Sequence, residues 1–252
     1  MGREADVKQP PVAPHPHLHA YYSDVDDRRR FVNRLFDRGA RHYTWINHVM
    51  SFGTGVWYRR EALIRAGLKP GMQVLDVCVG SGQVARAASG VVGANGTVAA
   101  LDASFGMLLE ARQRVAVRSM QGLVEAIPVV DDFADFVTMG YALRHLADLR
   151  CAFSEFERVL RPGGTLLMIE FARPRSRAAY RVLKLYLHRI VPSIARLGSR
   201  EAATMMRYFW DTIENCVPPQ IILDTLREVG FEQAVKGGQI ELLAEYTARK
   251  PA

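Results

Sequence analysis

The stretch VLDVCVGSGQVA, from Val74 to Ala85, decides the fold of this chain. It starts as an apolar strand that ends in an acid, Asp76, continues as a tight loop, and then takes a helix-forming composition. The glycines Gly80 and Gly82 let the backbone approach a ligand, and the amides at the start of the following helix point towards an anionic group. The stretch therefore predicts a strand, a loop and a helix that together bind a nucleoside-type cofactor.

A second acid lies at the distance that such a cofactor requires. The β-like run TVAALDA ends in Asp102, about twenty residues after the loop, where a carboxylate can accept both hydroxyls of a ribose. A dinucleotide-binding loop reads G-x-G-x-x-G, and Ala85 in its third glycine position would be tolerated. The acid before the loop instead gives the frame D-x-C-x-G-x-G, which is closer to the D-x-G-x-G-x-G loop of methyltransferases that use S-adenosyl-L-methionine (SAM). The frame therefore favours SAM over NAD and disfavours a dehydrogenase.

Short β-like runs alternate with helix-like segments over most of the chain. The β-like runs are QVLDVCV, TVAALDA, VEAIPV, FADFVTMGYA and GTLLMIEFA, and helices are predicted between them over 104–121 and 146–160. Strands that alternate with helices predict an α/β fold with a doubly wound, mostly parallel sheet.

The segments on either side of this sheet are predicted to belong to a single domain over 23–252. Four prolines and three closely spaced histidines in the first twenty residues predict a flexible tail over 1–22. Apolar residues at helical spacing predict two or three helices over 23–67, which would form a lid. A basic amphipathic stretch and a second helical stretch predict a helical insertion over about 175–217, before the closing strands.

The composition limits the partners and the compartment. The chain has 252 residues, 49% of them apolar, without a run long enough for a membrane span and without a signal-peptide pattern, so we expect a cytoplasmic protein. Its formal charge of +7 suits an anionic surface or ligand, but the arginines are spread without interleaved aromatics, which argues against nucleic acid. Three widely separated cysteines and isolated tail histidines predict neither a disulfide framework nor a metal site.

Several motifs extend the SAM loop into a longer pattern. They are YTWINHVMSFGTGVWYRR, VLDVCVGSG, VEAIPVVDDFADFV, YALRHL and RVLRPGGTLLMIEFARP. Over about residues 31–248, the chain resembles the ubiquinone/menaquinone biosynthesis C-methyltransferase family, within the class I SAM-dependent methyltransferases. The resemblance implies a Rossmann-like class I sheet with an N-terminal helical lid and a helical insertion before the last strands. It also implies SAM as the cofactor and S-adenosyl-L-homocysteine as its product.

The resemblance further implies a set of cofactor contacts. Asp102 would bind the ribose, Leu123 and Val124 would lie at the adenine, and Gly140 would lie near the methionine part of SAM. Tyr43, Arg59 and Arg60 would form part of a lid over the methionine part. The predicted cofactor-binding residues are Tyr43, Arg60, Asp76, Gly80, Ser81, Gly82, Asp102, Leu123, Val124 and Gly140.

Two positions depart from the family pattern. Cys78 replaces the first glycine of the loop, which costs little if its backbone φ is negative. Leu123 stands where the family usually has an acid or an amide that hydrogen-bonds the adenine amine. Losing one such bond costs about 0.5–1.5 kcal/mol, which is about tenfold in affinity at most. SAM binding is therefore expected to survive both changes.

The acceptor side of the site carries fewer signals. In C-methylation of a phenol or quinol, a cation that stabilises the phenolate or a base that takes its proton activates the ring carbon. By resemblance, Arg144 is the candidate cation, and His145, whose ordinary pKa lies near neutrality, is the candidate base. A carboxylate-paired Arg144 and a structural His145 are the simpler interpretations. Tyr141, Tyr208 and Asp211 are candidates for acceptor binding, although aromatic residues at helical spacing also serve packing.

The sequence thus favours a SAM-dependent methyltransferase that acts on carbon of an aromatic, phenolic or quinol-like small molecule, in quinone or secondary metabolism. O- or N-methylation stays open, because this fold changes its acceptor through the lid and the insertion. A catalytically silent scaffold or regulator also stays open. The basic amphipathic stretch 180–190 could rest on an anionic membrane surface or could only cover the active site. A homodimer also stays open.

Overall fold

The computed structural model describes the backbone of residues 10–50, 55–174, 176–198 and 200–252. Side chains are described for all of these except residues 25, 41–50, 194–195, 197–198 and 200–201. Within these ranges the chain forms a seven-stranded sheet with helices around it.

The sheet is mostly parallel. Its strands are β1 (Gln73–Val77), β2 (Thr97–Asp102), β3 (Arg118–Gln121), β4 (Ala134–Gly140), β5 (Leu160–Phe171), β6 (Glu232–Gly237) and β7 (Leu243–Arg249). They lie in the order β3-β2-β1-β4-β5-β7-β6, and only β7 runs antiparallel to its neighbours β5 and β6. This confirms the predicted doubly wound, mostly parallel sheet. The chain order reverses between β1 and β4, which is where open α/β sheets bind ligands.

Both faces of the sheet are buried. Successive side chains of a strand point to opposite sides, so on β1 Leu75 enters one apolar cluster and Val74 another. The paired strand β4 repeats this division, with Val137 opposite Leu75 and Phe136 opposite Val74. Apolar residues on both faces explain why these strands appear in the sequence as continuous apolar runs.

The helices cover the sheet and extend beyond it. They are α1 (Val25–Met50), α2 (Gly55–Arg65), α3 (Gln83–Val92), α4 (Phe105–Arg112), α5 (Leu149–Val159), α6 (Arg177–Leu185), α7 (Val191–Gly198), α8 (Arg200–Glu214) and α9 (Pro219–Glu228). The long α1 packs against α4 and α8, so the N-terminal helices and the predicted insertion contact each other. None of the described helices combines the length and the apolarity that crossing a membrane requires.

The third strand lies earlier in the chain than the sequence predicts. The helix predicted over 104–121 ends at Arg112, and β3 follows it and pairs with β2. The run VEAIPV, predicted as a strand, is a loop, so that prediction was wrong. Its apolar side chains Val124 and Ile127 are buried in the main core. The apolar pattern therefore reflects packing, without strand pairing.

Residues 10–22, which we call the N-terminal strap, pack on the domain. The prediction of a flexible tail over 1–22 was therefore wrong for this segment. The amide of Val217 donates to the carbonyl of Pro14 at 2.8 Å, and the side chain of His15 is buried. Prolines keep this segment out of a helix, but they do not prevent it from packing on the domain. The first nine residues lie outside the described part of the chain.

Candidate active site

A cavity opens at the carboxyl ends of β1, β2 and β4, where the strand order reverses. It encloses about 1040 Å³ including its open mouth. Of the predicted site residues, those that line it are Gly80, Ser81, Asp102, Leu123, Val124, Gly140, Tyr141 and His145.

The loop after β1 is fastened to the end of β2 by a carboxylate. Asp102 accepts a hydrogen bond from the amide of Gly80 through Oδ2 and another from the amide of Ser104 through Oδ1, both at 2.8 Å. An ionised carboxylate has about four acceptor positions, so these two bonds leave each oxygen able to accept one more. Asp102 can therefore hold the loop and receive two hydroxyl donors from a ligand.

The charge state of Asp102 is sensitive to its surroundings. Burial raises the pKa of this carboxyl from 3.8 to about 6, against the opposing effect of the amides of Ser104 and Gly80. Desolvation penalises the charged form, and hydrogen bonds to that form compensate only in part. The side chain is therefore ionised at neutral pH and gains from additional donors.

Two glycines lie too close to neighbouring residues for a side chain to fit without a shift. A Cβ atom added at Gly140 would lie 2.6 Å from Val84 Cγ2, and one at Gly82 would lie 3.1 Å from the Cα of Ala111. Gly82 also has a φ of 81° as the residue that precedes α3, a conformation that glycine adopts without strain. Both positions keep the backbone close to its neighbours around the cavity.

The backbone of Cys78 does not have the negative φ that would make replacement of the loop glycine nearly free of strain. Its φ is 52°, in the left-handed region. For a side chain other than glycine, this conformation costs about 1–2 kcal/mol. Tyr141, directly after β4, is held at a φ of 62°. The cavity wall thus contains two residues in a conformation that L-amino acids seldom adopt, and such strain is concentrated at functional sites.

Asp76 lies beneath the loop and does not line the cavity. Burial raises its pKa well above 3.8, and the amide of Ala85 and the charge of Arg59 oppose that shift. The prediction of direct cofactor contact is therefore not met by the geometry. Asp76 acts from below the loop, between β1 and the start of α3.

The adenine end predicted from the resemblance lies on the loop after β3. Leu123 lines the cavity and is partly exposed at its rim, and Val124 is buried beside it. Glu125, which the sequence did not single out, lines the same region and accepts a hydrogen bond from the amide of Ala147 at 3.1 Å. A carboxylate is therefore present on this loop, two residues after the position where the family acid or amide is replaced by leucine.

The lid contributes Arg59 to the cavity, while Arg60 points away from it. Arg59 is 3% exposed, and its guanidinium lies 5.1 Å from the ring centre of Tyr141. Arg60 is exposed and pairs with Glu61 at 3.0 Å, so the geometry does not support its prediction as a cofactor contact, whereas Arg59 lines the cavity. The side chain of Tyr43, also predicted in this set, lies outside the described residues.

Arg144 is occupied elsewhere and does not line the cavity. Its Nε donates to Glu170 at 2.9 Å and its Nη1 donates to Thr212 at 2.8 Å, and all three side chains are buried. Because the carboxylate of Glu170 balances the charge of Arg144, the pair contributes little net positive potential to a developing oxyanion. The carboxylate-paired interpretation of Arg144 therefore fits the structure, and the oxyanion role does not.

His145 lines the cavity with both ring nitrogens buried and without a hydrogen-bond partner among the described residues. It stacks on Tyr208 with ring centres 5.4 Å apart and meets Phe36 at 5.1 Å. Burial lowers its pKa well below 6.5, and the charges of Arg144 and Arg28 add to that shift. His145 is therefore uncharged at neutral pH and offers a lone pair, but it is a poor proton acceptor.

Tyr208 and Asp211 lie behind the wall and not on it. Tyr208 is buried beneath His145. Asp211 accepts a hydrogen bond from the hydroxyl of Tyr21 at 2.5 Å and so helps fix the N-terminal strap to α8. Their prediction as acceptor-binding residues is corrected, because one supports the wall and the other binds the strap.

Arg28 was missed by the sequence analysis and lines the cavity from the first turn of α1. It is buried, and its Nη2 lies 3.1 Å from Nε2 of His15. The run DDRRRF does not distinguish Arg28 from Arg29 and Arg30, and in the structure those two are exposed.

Among the described residues, no cluster of histidine, cysteine, aspartate and glutamate has the arrangement of a metal site.

Solved structures with similar folds define the class of the chain. A SAM-dependent methyltransferase from Thermotoga maritima, titled a possible histamine N-methyltransferase, aligns with a TM-score of 0.61 at 17% identity over 86% of this chain and 99% of that one. Phosphoethanolamine N-methyltransferase 2 of Haemonchus contortus, solved with SAM, aligns with a TM-score of 0.62 at 18% identity over 89% of this chain and 60% of that one. The fold is the Rossmann-like class I fold of SAM-dependent methyltransferases.

The family follows from the sequence comparisons. The ubiE/COQ5 methyltransferase family matches residues 23–239, and the chain belongs to it. Ubiquinone/menaquinone biosynthesis C-methyltransferases of Shewanella baltica and Shewanella woodyi are 30% and 31% identical over 217 residues, which is 83% of this chain and 86% of each relative. The protein is accordingly a SAM-dependent methyltransferase, and SAM is its cofactor.

Proposed function

We propose that this methyltransferase transfers the methyl group to a ring carbon of a phenolic or quinol-like small molecule, in quinone or secondary metabolism. The observation that supports it is the wall of the cavity formed by the rings of His145 and Phe36, with Tyr208 stacked behind His145. Flat rings pack well against such a wall. The curated relatives, whose names describe C-methylation in ubiquinone and menaquinone biosynthesis, support the same acceptor class.

The described residues fit SAM at the other end of the cavity. Asp102 has two acceptor positions for the ribose hydroxyls, and Gly80 and Ser81 of the loop line the same space. Leu123 and Val124 supply apolar surface for the adenine, and Gly140 lines the cavity where we place the methionine part.

Arg59 would hold the carboxylate of that methionine part, in place of the predicted Arg60. It is buried in the lining beside Tyr141 and close to the loop. When bound, SAM supplies an electrophilic methyl group on a positively charged sulfur. The protein then has to align the acceptor carbon with that methyl and exclude water.

The lid and the insertion provide that exclusion. Leu35 of α1 and the buried residues Met205, Trp210 and Ile213 of α8 belong to one apolar cluster, which Phe36 of the cavity wall also joins. This cluster is separate from the clusters beneath the sheet. We infer that it keeps the acceptor end of the cavity dry, so that the methyl is transferred to the acceptor and not to water.

The proposal is tested by incubating the protein with methyl-labelled SAM and a panel of quinols, naphthols and phenols. Mass spectrometry and NMR of the products distinguish a new carbon-bound methyl from an O- or N-methyl group. A carbon-bound methyl on at least one hydroxylated ring supports the proposal. Products methylated only on oxygen or nitrogen would replace it with the alternative chemistry, and SAM binding without any product would favour a regulator. An Asp102→Ala variant serves as the inactive control.

We also propose that the face of α6 away from the domain rests on an anionic membrane surface. Val182 and Leu185 of α6 are exposed by 69% and 52%, and both lie between the exposed arginines 181 and 189. Ile190, at the end of the π-helical turn 186–190 that continues α6, is exposed by 43%. Leu187 of the same turn is buried in the cluster that contains Tyr208. One face therefore covers the domain, and the other has the apolar and basic pattern of an interfacial helix.

A further inference from the structure

Arg28 is a buried cation in the cavity wall, without an anionic partner among the described residues. Arg28 is 7% exposed and lines the cavity. Its hydrogen bonds go to His15 at 3.1 Å and to the carbonyl of Arg144 at 3.3 Å, and its Nε has no partner among the described residues. An arginine stays charged in proteins, and buried charges are normally paired. The site is therefore short of one negative charge at this place.

The other arginines near the cavity are in different situations. Arg29 also lines it but is exposed, and Arg59 is buried like Arg28, without an ion pair among the described residues. Arg144 is neutralised by Glu170. Arg59 lies over Tyr141 near the loop, on the side that we assign to SAM. Arg28 lies on the opposite side, next to His145, and its charge acts on both His145 and Tyr208. The cavity thus has separate cationic groups at its cofactor end and at its aromatic end.

We propose that Arg28 binds the acceptor as an oxyanion, namely the phenolate or enolate form of a hydroxylated ring. The inference rests on the proposed function, because that acceptor class supplies the anion that Arg28 lacks. The O–H bond of the acceptor breaks before binding, the proton passes to water, and the electron pair stays on the oxygen that faces Arg28. A phenolate oxygen donates electron density to the ring carbons beside it, which is what C-methylation needs.

This assignment explains two features that the predicted roles leave unexplained. Arg144, the candidate from the resemblance, is paired with Glu170, so the cation has to come from another residue. His145 is held uncharged by burial and by Arg144, so it is poorly suited to take the proton. An acceptor that binds already ionised requires no base from the protein.

His15 of the N-terminal strap is the positioning residue for Arg28. Its Nδ1 lies 2.7 Å from the carbonyl of Pro16, which can only accept, so Nδ1 carries the hydrogen and Nε2 presents its lone pair to Arg28. Burial lowers the pKa of His15 to about 4, so the imidazole is neutral and accepts from the guanidinium without repelling it.

The strap lies outside the part of the chain that matches the family, which begins at residue 23. His15 is nevertheless 2% exposed and reaches the cavity wall through Arg28. The strap is held at both sides of this contact, by the bond from Val217 to Pro14 and by the bond from Tyr21 to Asp211. The contribution of His15 to orienting the acceptor would therefore lie outside the family match, whereas Arg28 lies within it.

The experiment uses 4-nitrophenol, whose phenolate form absorbs visible light while its neutral form does not. The full-length protein is saturated with S-adenosyl-L-homocysteine, and the absorbance of bound 4-nitrophenol is followed as a function of pH. We expect the wild-type protein to lower the pKa of the bound probe by about one unit. Arg28→Gln should abolish this shift and weaken phenolate binding at least about tenfold, since one unit of pKa corresponds to a tenfold change in an equilibrium constant.

Three comparisons make the result decisive. Arg30→Gln removes the same charge from an exposed position of the same helix and should keep the shift. Calorimetry should show S-adenosyl-L-homocysteine binding that is unchanged in Arg28→Gln and weakened in Arg59→Gln. Loss of that binding in Arg28→Gln would overturn the proposal by assigning Arg28 to the cofactor. An unshifted probe pKa in the wild type, or an equal shift in Arg28→Gln, would overturn it as well.

The role of His15 has its own readout. His15→Phe removes the acceptor for Arg28, and we expect it to reduce the probe shift. His15→Gln keeps a side-chain carbonyl that can accept from Arg28, and we expect it to restore part of the shift. Equal shifts in both variants would show that His15 serves packing only. Because probe binding is measured without methyl transfer, these results stand apart from the product test: a shifted probe with no product on any acceptor would refute the proposed function and leave the Arg28 site.

Discussion

The amide of Gly80 donates to Oδ2 of Asp102 at 2.8 Å, so the acid that ends β2 holds the loop that follows β1. One side chain thus joins the carboxyl ends of β1 and β2, beside the switch point between β1 and β4. The same carboxylate faces the cavity and has acceptor positions left for a ribose. Loop geometry and cofactor binding therefore depend on one carboxylate, and they respond together to its mutation and to its protonation.

Replacing Asp102 tests this double role. Asp102→Asn keeps the size of the side chain but turns one acceptor oxygen into a donor, so it cannot accept both ribose hydroxyls and both amides. We expect SAM affinity to fall about tenfold to hundredfold, because hydrogen bonds to charged groups contribute about 1.5–3 kcal/mol each. Isothermal titration with SAM measures this. Unchanged affinity in Asp102→Asn would remove Asp102 from the cofactor site.

The protonation of Asp102 predicts a pH dependence of binding. Its pKa in the folded protein, about 6, lies above the 3.8 of an unperturbed aspartate. Because the pKa in the folded state is the higher one, Asp102 contributes to the stability of the folded protein below pH 4. This contribution is lost as the pH rises through 6. Ribose hydroxyls favour the carboxylate, so binding below pH 6 requires release of a proton.

We accordingly expect SAM affinity to be constant from pH 7 to 8 and to weaken below pH 6, approaching about tenfold per pH unit. Titrations in a series of buffers check this, and the number of protons released at pH 5.5 can be read from the dependence of the binding enthalpy on the buffer. Asp102→Asn should bind weakly with no such slope. A slope that persists in this variant would assign the titration to another group.

The sequence predicted the parts of the fold that depend on local pattern. Alternating apolar strands and helix-forming segments predicted the parallel sheet, and the spacing from Asp76 to Asp102 correctly predicted a loop after β1 beside an acid at the end of β2. The missed strand β3, with the sequence RSMQ, has a partly exposed pattern with one apolar residue, because it lies at the edge of the sheet. Its identity depends on pairing with β2, which local propensity does not contain.

The acceptor side shows why the remaining site residues could not be predicted. Arg28, Arg29 and Arg30 are identical in the sequence, and only the packing of the strap buries the first of them. Arg59 and Arg60 are adjacent in the same way, and the turn of α2 decides which one faces the cavity. Arg144 matched the motif, but its partner Glu170 comes from β5 and was not visible as a neighbour. Direction and pairing of side chains depend on tertiary contacts.

The strained loop residue predicts a stabilising substitution. Cys78 has a φ of 52°, and glycine adopts this conformation without the steric cost of a Cβ atom. We expect Cys78→Gly to raise the free energy of unfolding by about 1 kcal/mol, which for a chain of this size shifts the melting temperature by about 2–4 °C. Differential scanning calorimetry measures the shift. Cys78→Ala, which keeps the Cβ atom, is the control, and an equal shift in both variants would contradict the strain argument.

The buried ion pair of Arg144 and Glu170 predicts that replacing Arg144 lowers the stability of the protein without acting directly on methyl transfer. Removing one member of a buried pair leaves an uncompensated charge, which costs about 3–5 kcal/mol. We expect Arg144→Met to lower the free energy of unfolding by that amount in urea denaturation. The double variant with Glu170→Met should recover most of it. If Arg144→Met were as stable as the wild type but lost all turnover, the catalytic role implied by the family resemblance would be restored.

The exposed face of α6 predicts binding to anionic vesicles. Val182 and Leu185 are the most exposed apolar residues of this face, and arginines 181 and 189 flank them. We expect the protein to sediment with vesicles containing phosphatidylglycerol and to remain in solution with phosphatidylcholine alone, because apolar insertion and charge attraction act together. The double variant Val182→Ser with Leu185→Ser should lose most of the binding, whereas Ile221→Ser, at an exposed apolar position on α9, should keep it. Wild-type protein that fails to sediment, or that runs as a dimer disrupted by the same double variant, would show that this face joins two copies of the chain instead.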